Sequence, residues 1–305
     1  MSNASTTAPA DLDPIALTSA LQSAFASPSY RPPTLPGVAM EVMDLASRPN
    51  VQFPELVNVL QRDPVLAARV LSIAQSAAYA SRSPTLSLHQ AAVRLGLKAM
   101  RDLVLEASLH LKVFRVPGYD DAMAMLYRHS TAVAHVARAI CRRTLISAEY
   151  AFLCGLLHDV GFAAALLTVV EYPQWRKQPF QVLAPVLDAV HVDASGILAR
   201  LWNLPRPIQD LVAHHHDVQV DGKPSPANAM LVIAEQLCWE AGAGMLPPPE
   251  DADPMSVSTP DPPLEGVDVN WSGTFEEARR ILKMDDLILG ALRAEAFSTV
   301  AALQG

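Results

Sequence analysis

Apolar residues return every three to four positions along most of this chain, the spacing that places them on one face of a helix. Ala67, Val70, Leu71 and Ala74 fall at i, i+3, i+4 and i+7. Asp63-Pro64, just ahead of them, supplies a capping carboxylate and a proline that a first helical turn tolerates, and Pro54 marks an earlier start. Ser87-Leu88-His89-Gln90 reads as a capping box, in which the serine oxygen accepts from the third-position amide. The helix it opens is expected to end at Gly96, and Leu97 to Val113 to form another with Met100, Leu103, Val104 and Ala107 inward. Further helices are expected over Ala122 to Arg143, Tyr150 to Val170, Val182 to Trp202, Leu204 to His216, Ala227 to Ala241 and Thr274 to Leu303. No run of six or more residues alternates apolar and polar between turn signals, so the chain reads as all-α.

The ends differ in character from the middle. Only Ile15 to Phe25 carries a helical pattern in the Ser-, Ala- and Pro-rich start, so residues 1–30 are expected to be a flexible tail with a docking helix. Ala243 to Val269 holds seven prolines among six acidic residues. Residues 243–272 therefore read as a linker, either a disordered tether or a docking strand for a partner. Residues 273–305 read as a C-terminal helix whose stripe of Phe275, Ala278, Ile281, Leu282, Leu289 and Leu292 must cover its own lobe or a second chain.

Composition narrows the partners. Half of the 305 residues are apolar and 18% are charged, which excludes wholesale disorder. A net charge of −8 gives no general attraction to phosphate backbones, so no nucleic-acid partner is expected. Arg62, Arg69, Arg94, Lys98 and Arg101 read as a solvated basic face. Cys141, Cys154 and Cys238 lack CxxC spacing and read as packed thiols, and the start has no signal-like h-region, so a reducing cytoplasm is expected. Ala151 to Val170 is apolar enough to imitate a membrane span, but His158 and Asp159 at its middle point to a buried core helix, and no membrane partner is expected.

Candidate chemistry lies in the histidines. His129, the adjacent His158-Asp159, His191 and the triple His214 to His216 occur one group per expected helix, so several helices could bring them to one point. Iron, manganese and zinc accept imidazole nitrogen and carboxylate oxygen together. On one helix His158 and Asp159 would project about 100° apart, so an ion they share must lie between them. A buried Asp159 needs a cation, a histidinium or several donors, and a neutral structural pair with His158 is the competing reading. His89, His110 and His135 read as ordinary histidines, and His214 as a solvated neighbour of the pair that follows it.

The run Gly155-Leu156-Leu157-His158-Asp159-Val160-Gly161, with His129 upstream in Tyr127-Arg128-His129-Ser130, resembles the HD superfamily of metal-dependent phosphohydrolases. Leu35-Pro36, the run Gln61 to Leu71, Ala91 to Leu97, His191 before Ser195-Gly196, and Trp202-Asn203-Leu204-Pro205 narrow the resemblance to the HD-related output domain, HDOD, a bacterial signalling module. It covers about Arg31 to Ala241. It implies a domain over residues 31–242, with an amino-terminal helical lobe (31–115) packed on an HD-type lobe (116–242).

Carried over by position, the resemblance implies His129, His158 and Asp159 as metal ligands, with Glu235 where the superfamily usually has aspartate. His191, His215 and His216 fall where two-metal members place further ligands. The ion would be iron, manganese, zinc or magnesium. Phe162 stands where cyclic-dinucleotide-cleaving relatives have a lysine, and Asp217 to Gly222 lacks their Gly-Tyr-Pro signature. No residue is therefore assigned a catalytic role. The expected function is a non-catalytic bacterial signalling output module acting through a protein partner or a small ligand such as a nucleotide or phosphate. The alternative is a metal-dependent phosphohydrolase, in which a bound ion would lower the pKa of water for attack on a phosphoester.

Overall fold

A computed structural model describes residues 12–35, 37–48, 50–76, 79, 87–147, 150–245 and 271–304, and most of them are helical. The first helices are α1 (Pro14–Ala26), α2 (Gly37–Ser47), α3 (Phe53–Gln61), α4 (Pro64–Gln75), α5 (Leu88–Lys112) and α6 (Asp120–Cys141). After them come α7 (Ala151–Leu157), α8 (Val160–Val169), α9 (Phe180–Leu201), α10 (Arg206–Val212), α11 (Pro226–Glu240), α12 (Trp271–Leu282) and α13 (Asp286–Gln304). The punctuation acts as its chemistry dictates. Asp63 Oδ1 accepts from the amides of Val65 (3.1 Å) and Leu66 (3.0 Å), and Ser87 Oγ accepts from the Gln90 amide at 3.1 Å. Gly96, at φ 83°, kinks α5 where an L side chain would be strained.

The all-α class holds apart from a small hairpin. Gln219–Val220 (β1) pairs antiparallel with Lys223–Pro224 (β2) through Asp221 and Gly222, both at positive φ (52° and 70°). Asp-Gly favours that turn, but strands of two residues are too short to show alternation in the sequence.

Buried apolar side chains form two clusters. Val42, Leu60, Leu66, Val70, Met100 and Leu103 belong to the smaller, under α2 to α5. The larger gathers α6 to α11 together with α1, α12 and α13. Met100, Leu103, Val104 and Ala107 of α5 face the first cluster, as their spacing predicts, while Leu105 and Leu109 of the same helix face the second. Between these faces α5 also buries two carboxylates, Asp102 and Glu106, which no local pattern marks as internal. Asp102 accepts from Arg101 (2.8 Å) and Arg138 (3.2 Å), and Glu106 accepts from the Tyr127 hydroxyl at 2.8 Å. Arg62 and Lys98 are exposed as expected of a solvated face, but Arg69, Arg94 and Arg101 are only half-exposed. Arg94 donates to the carbonyls of Ala74 (2.8 Å) and Tyr79 (3.3 Å), and the Arg69 guanidinium lies 5.9 Å from the Tyr127 ring centroid.

The expected terminal helix is two helices. Lys283 turns left-handed (φ 52°), Met284 closes back onto the Arg279 carbonyl (3.0 Å) and buries its side chain, and Asp285 caps the next start through the Ile288 amide (2.8 Å). Ala278, Leu289, Leu292, Ala296 and Val300 are buried, and these helices pack on α6 and α11 of the same chain. At the other end α1 buries Leu17, Leu21 and Phe25 and packs on α8 and α9. The tail over residues 1–11 and the Pro-rich segment over 246–270 lie outside the described residues. Ala151–Val169 and Phe180–Leu201 are long and apolar enough to span a membrane, and 94% and 61% of their apolar windows are buried inside the protein.

Candidate metal centre

The expected continuous helix through His158 and Asp159 is broken there. α7 ends at Leu157, Asp159 sits at φ −100°, ψ 11°, and α8 restarts at Val160. The flanking glycines show why. A Cβ on Gly155 would lie 2.6 Å from Ala134 Cα of α6, and a Cβ on Gly161 would lie 2.0 Å from the His191 carbonyl oxygen of α9. Ser195 Oγ accepts from the Gly161 amide at 2.8 Å, fixing that approach. One short segment is thus pressed against both helices that carry the other histidines, and the turn between its halves delivers His158 and Asp159 to the junction. The 100° separation of a single helix does not apply.

All seven side chains singled out in the sequence meet at this junction. Asp159 Oδ2 lies 3.2 Å from His129 Nε2 and 3.3 Å from His158 Nε2, while Oδ1 lies 3.4 Å from Nε2 of both His191 and His215. Glu235 divides its oxygens similarly, Oε1 3.7 Å from His158 Nε2 and Oε2 3.4 Å from His216 Nε2. His214, by contrast, is exposed and pairs with Asp217 at 3.3 Å. His158 and His215 are fully buried, and His129, Asp159 and His191 are at most 5% exposed. Only the His216 and Glu235 side chains reach solvent appreciably, at 24% and 11%.

The outer nitrogens explain the orientation. Nδ1 of His129, His158, His191 and His215 each donates to a backbone carbonyl, of Ala243 (2.8 Å), Gly155 (2.8 Å), Asp188 (2.5 Å) and Val212 (2.8 Å). In the neutral ring this leaves the Nε2 lone pair pointing inward. His129 and His158 then present lone pairs to each other at 3.1 Å, and His191 and His215 do so at 3.3 Å, around two carboxylates. Glu235 Oε1 is buried without a hydrogen-bond partner. Facing acceptors in a dry space repel, so the arrangement calls for positive charge between them, supplied by protons or by ions.

The electrostatics agree. Burial alone would raise the Asp159 carboxyl, but the His158, His129 and His215 imidazoles hold it well below the usual carboxylate range. Glu235, also opposed by burial, is drawn down to about 2 by His216, His158 and His215. Burial pushes His191 down to about 3 against the pull of Asp159, whereas for His129 and His215 the Asp159 contact overcomes burial and raises the imidazole. Two donor groups, His129–His158–Asp159 and Asp159–His191–His215–His216, each lie within 4.8 Å and share one carboxylate. Mixed imidazole and carboxylate donors with fixed tautomers fit divalent iron, manganese or zinc better than magnesium, which prefers oxygen.

Asn228 escaped the sequence reading, and Phe162 figures there only as a missing lysine. Asn228 Nδ2 donates to the His214 and Leu211 carbonyls, bracing the turn that presents His215 and His216. Phe162 stacks on His191, with centroids 4.5 Å apart and planes 24° apart. A serine one turn after His191, and glycines three before and three after His158, were the available signals.

Comparison with known proteins agrees with this architecture. The chain is 27% identical over 198 residues to an uncharacterized protein of Treponema pallidum, covering 61% of this chain and 38% of that one, so it spans well under half of that curated relative. A solved HDOD domain protein of unknown function from Geobacter sulfurreducens is 25% identical, with a TM-score of 0.68 and coverage of 96% and 98% of the two chains. A Shewanella amazonensis protein proposed to be a metal-dependent phosphohydrolase shares the fold at 17% identity (TM-score 0.69; 95% and 99% covered). So does a proposed signal transduction protein from Marinobacter aquaeolei at 20% identity (TM-score 0.52; 97% and 68% covered). The HDOD domain family model matches residues 33–218, more than half of the sequence and all but Glu235 of the side chains that meet at the junction, and the chain belongs to the HDOD family of the HD superfamily.

Proposed function

We propose that this chain is a bacterial cytoplasmic signalling module in which His129, His158, Asp159, His191, His215, His216 and Glu235 hold a two-ion centre that fixes the helical frame and does not turn over substrate. The observation that carries this is the division of both carboxylates. Each aims one oxygen at the His129–His158 side and the other at the His191–His215–His216 side. Divalent ions there would supply the positive charge that lets two carboxylates and five imidazoles share one dry space. The chain's own residues bind and orient. Asp159 joins the two halves, the backbone carbonyls hold the rings, and α6, α8, α9 and α11 are tied at one point. Near-complete burial supports a structural and regulatory role, and Phe162, which stands where the resemblance to cyclic-dinucleotide-cleaving relatives would put a lysine, stacks on His191 and supplies no cation for a phosphate. The module would then act on a signalling protein or respond to a small ligand.

A second reading, phosphoester hydrolysis, draws on the partly exposed His216–Glu235 edge, the one side where a substrate could approach the centre. Elemental analysis of protein purified without chelator, together with bis(4-nitrophenyl) phosphate assays in added manganese or iron, tests both. About two equivalents of metal per chain, lost in a His158→Ala, Asp159→Ala variant, with no turnover above that variant, are expected; a single equivalent would reduce the centre to one ion. Absence of metal after reconstitution rejects the centre. Turnover that disappears in the variant replaces the regulatory reading with the hydrolytic one.

A further inference from the structure

A recess of about 300 Å³ lies behind the metal centre, between the chain following α6, α7, α10, the hairpin and α11. Its walls include Ala151, Leu211, Val220 and Met230, with Ser147, Tyr150, Asp210, Ser225 and Asn228 as polar groups, and the described lining residues include no lysine, arginine or histidine. Asp210 is already paired with Arg206 at 2.8 Å. We propose that this recess is a regulatory binding site for an uncharged, mainly apolar small molecule, whose occupancy is read out at the metal centre.

Size and chemistry define the occupant. A dry cavity of about 150 Å³ accepts benzene, so this one suits a molecule of roughly two fused rings. An apolar lining with a few polar groups orients such a ligand, and with no cation among the described lining residues it offers nothing to pair a phosphate.

The connection to the centre runs through three of the recess's own walls. Cys154, in the lining, takes the His158 amide on its carbonyl at 2.9 Å, and the next carbonyl, Gly155, takes the His158 ring. Leu211 precedes Val212, whose carbonyl holds the His215 ring, and Asn228 donates to the His214 carbonyl. Met230 sits on the helix that carries Glu235. A molecule lodged in the recess thus touches the supports of His158, of the His215–His216 turn and of Glu235. Packed helices shift as bodies, so filling the recess biases the positions of those donors.

This inference rests on reading the centre as metal-binding, and its test separates the two. The 305-residue chain, reconstituted with diamagnetic zinc and labelled at the methionine methyls, is titrated with 2-naphthol. The Met230 resonance, assigned by its loss in Met230→Leu, is expected to move saturably while that of Met100, in the other cluster, stays in place. Val220→Trp and Ala227→Trp, at partly exposed positions, should each abolish the shift. Saturating 2-naphthol should change the rate of metal release to a chelator at least threefold. An unmoved Met230, or one that moves equally in the filled variants, overturns the site, and an unchanged release rate overturns the coupling. A saturable shift in protein that holds no metal removes the metal reading and the coupling but leaves the site; metal binding with Met230 unmoved does the reverse.

Discussion

At the scale of the residue, the chain manages two buried acids in opposite ways. Asp159 stays ionised because four imidazoles face it, and Glu106 does not enjoy that company. Burial raises Glu106 to about 7, only partly countered by the Tyr127 hydroxyl and by Arg69 and Arg138. Its ordinary value is 4.5, so between about pH 4.5 and 7 the folded chain binds more protons than the unfolded one, and stability must fall as pH rises through that window. The effect is on the order of 3 kcal/mol by pH 8. Urea unfolding of Glu106→Gln is expected to show a gain over the parent at pH 8 that shrinks towards pH 5; parallel curves would contradict it. His158 and Asp159 stood out because paired polar residues inside an apolar run demand partners, whereas the full set of seven, Glu235 above all, came from the resemblance to the HDOD family. Neither signal marks Glu106 or Asp102. Arg101 beside Asp102 reads as an ordinary surface pair, and the partners that draw both acids inward, Tyr127 and Arg138, lie on α6, 21 to 36 residues further along.

Elements were legible where a boundary is written in side-chain chemistry. Asp63-Pro64, Ser87 and Gly96 each act locally, and each mark holds in the structure. The break at His158–Asp159 is not local. Apart from Gly155 and Gly161, which weaken a helix without marking where it stops, Ala151 to Val169 reads as continuous, and the place of the break follows from the close approach of α6 on one side and α9 on the other. Gly161→Ala therefore forces backbone against backbone. It is expected to cost at least about 2 kcal/mol and to lower metal content as α8 withdraws from His191. Ser195→Ala, which removes one hydrogen bond to the same amide, should cost roughly 1 kcal/mol. Thermal denaturation with parallel metal analysis checks both, and a Gly161→Ala protein as stable as its parent would refute the packing argument.

For the whole molecule, the C-terminal helices form part of the larger core. Leu289, Leu292, Ala296 and Val300 are buried, Arg142 and Arg143 both pair with Glu295, and Arg293 reaches Glu240 at 2.7 Å. A chain ending at residue 270 would expose the apolar surfaces of α6 and α11. A fall in Tm on the order of 10 °C and concentration-dependent association in light scattering are expected; a monomer of unchanged Tm would show that these helices cover nothing essential. That both pack on their own chain could not be read from their stripe, which would fit a second copy equally well.

The carbonyl that steadies the His129 ring belongs to Ala243, three residues beyond the end of α11, where the chain sets out towards the C-terminal pair. The ring therefore has its anchor on the stretch of chain that leaves α11 for the two C-terminal helices. Traction on those helices, from whatever quarter, would arrive at the imidazole by way of one peptide oxygen, and a histidine free to swivel grips far less firmly than one held in place.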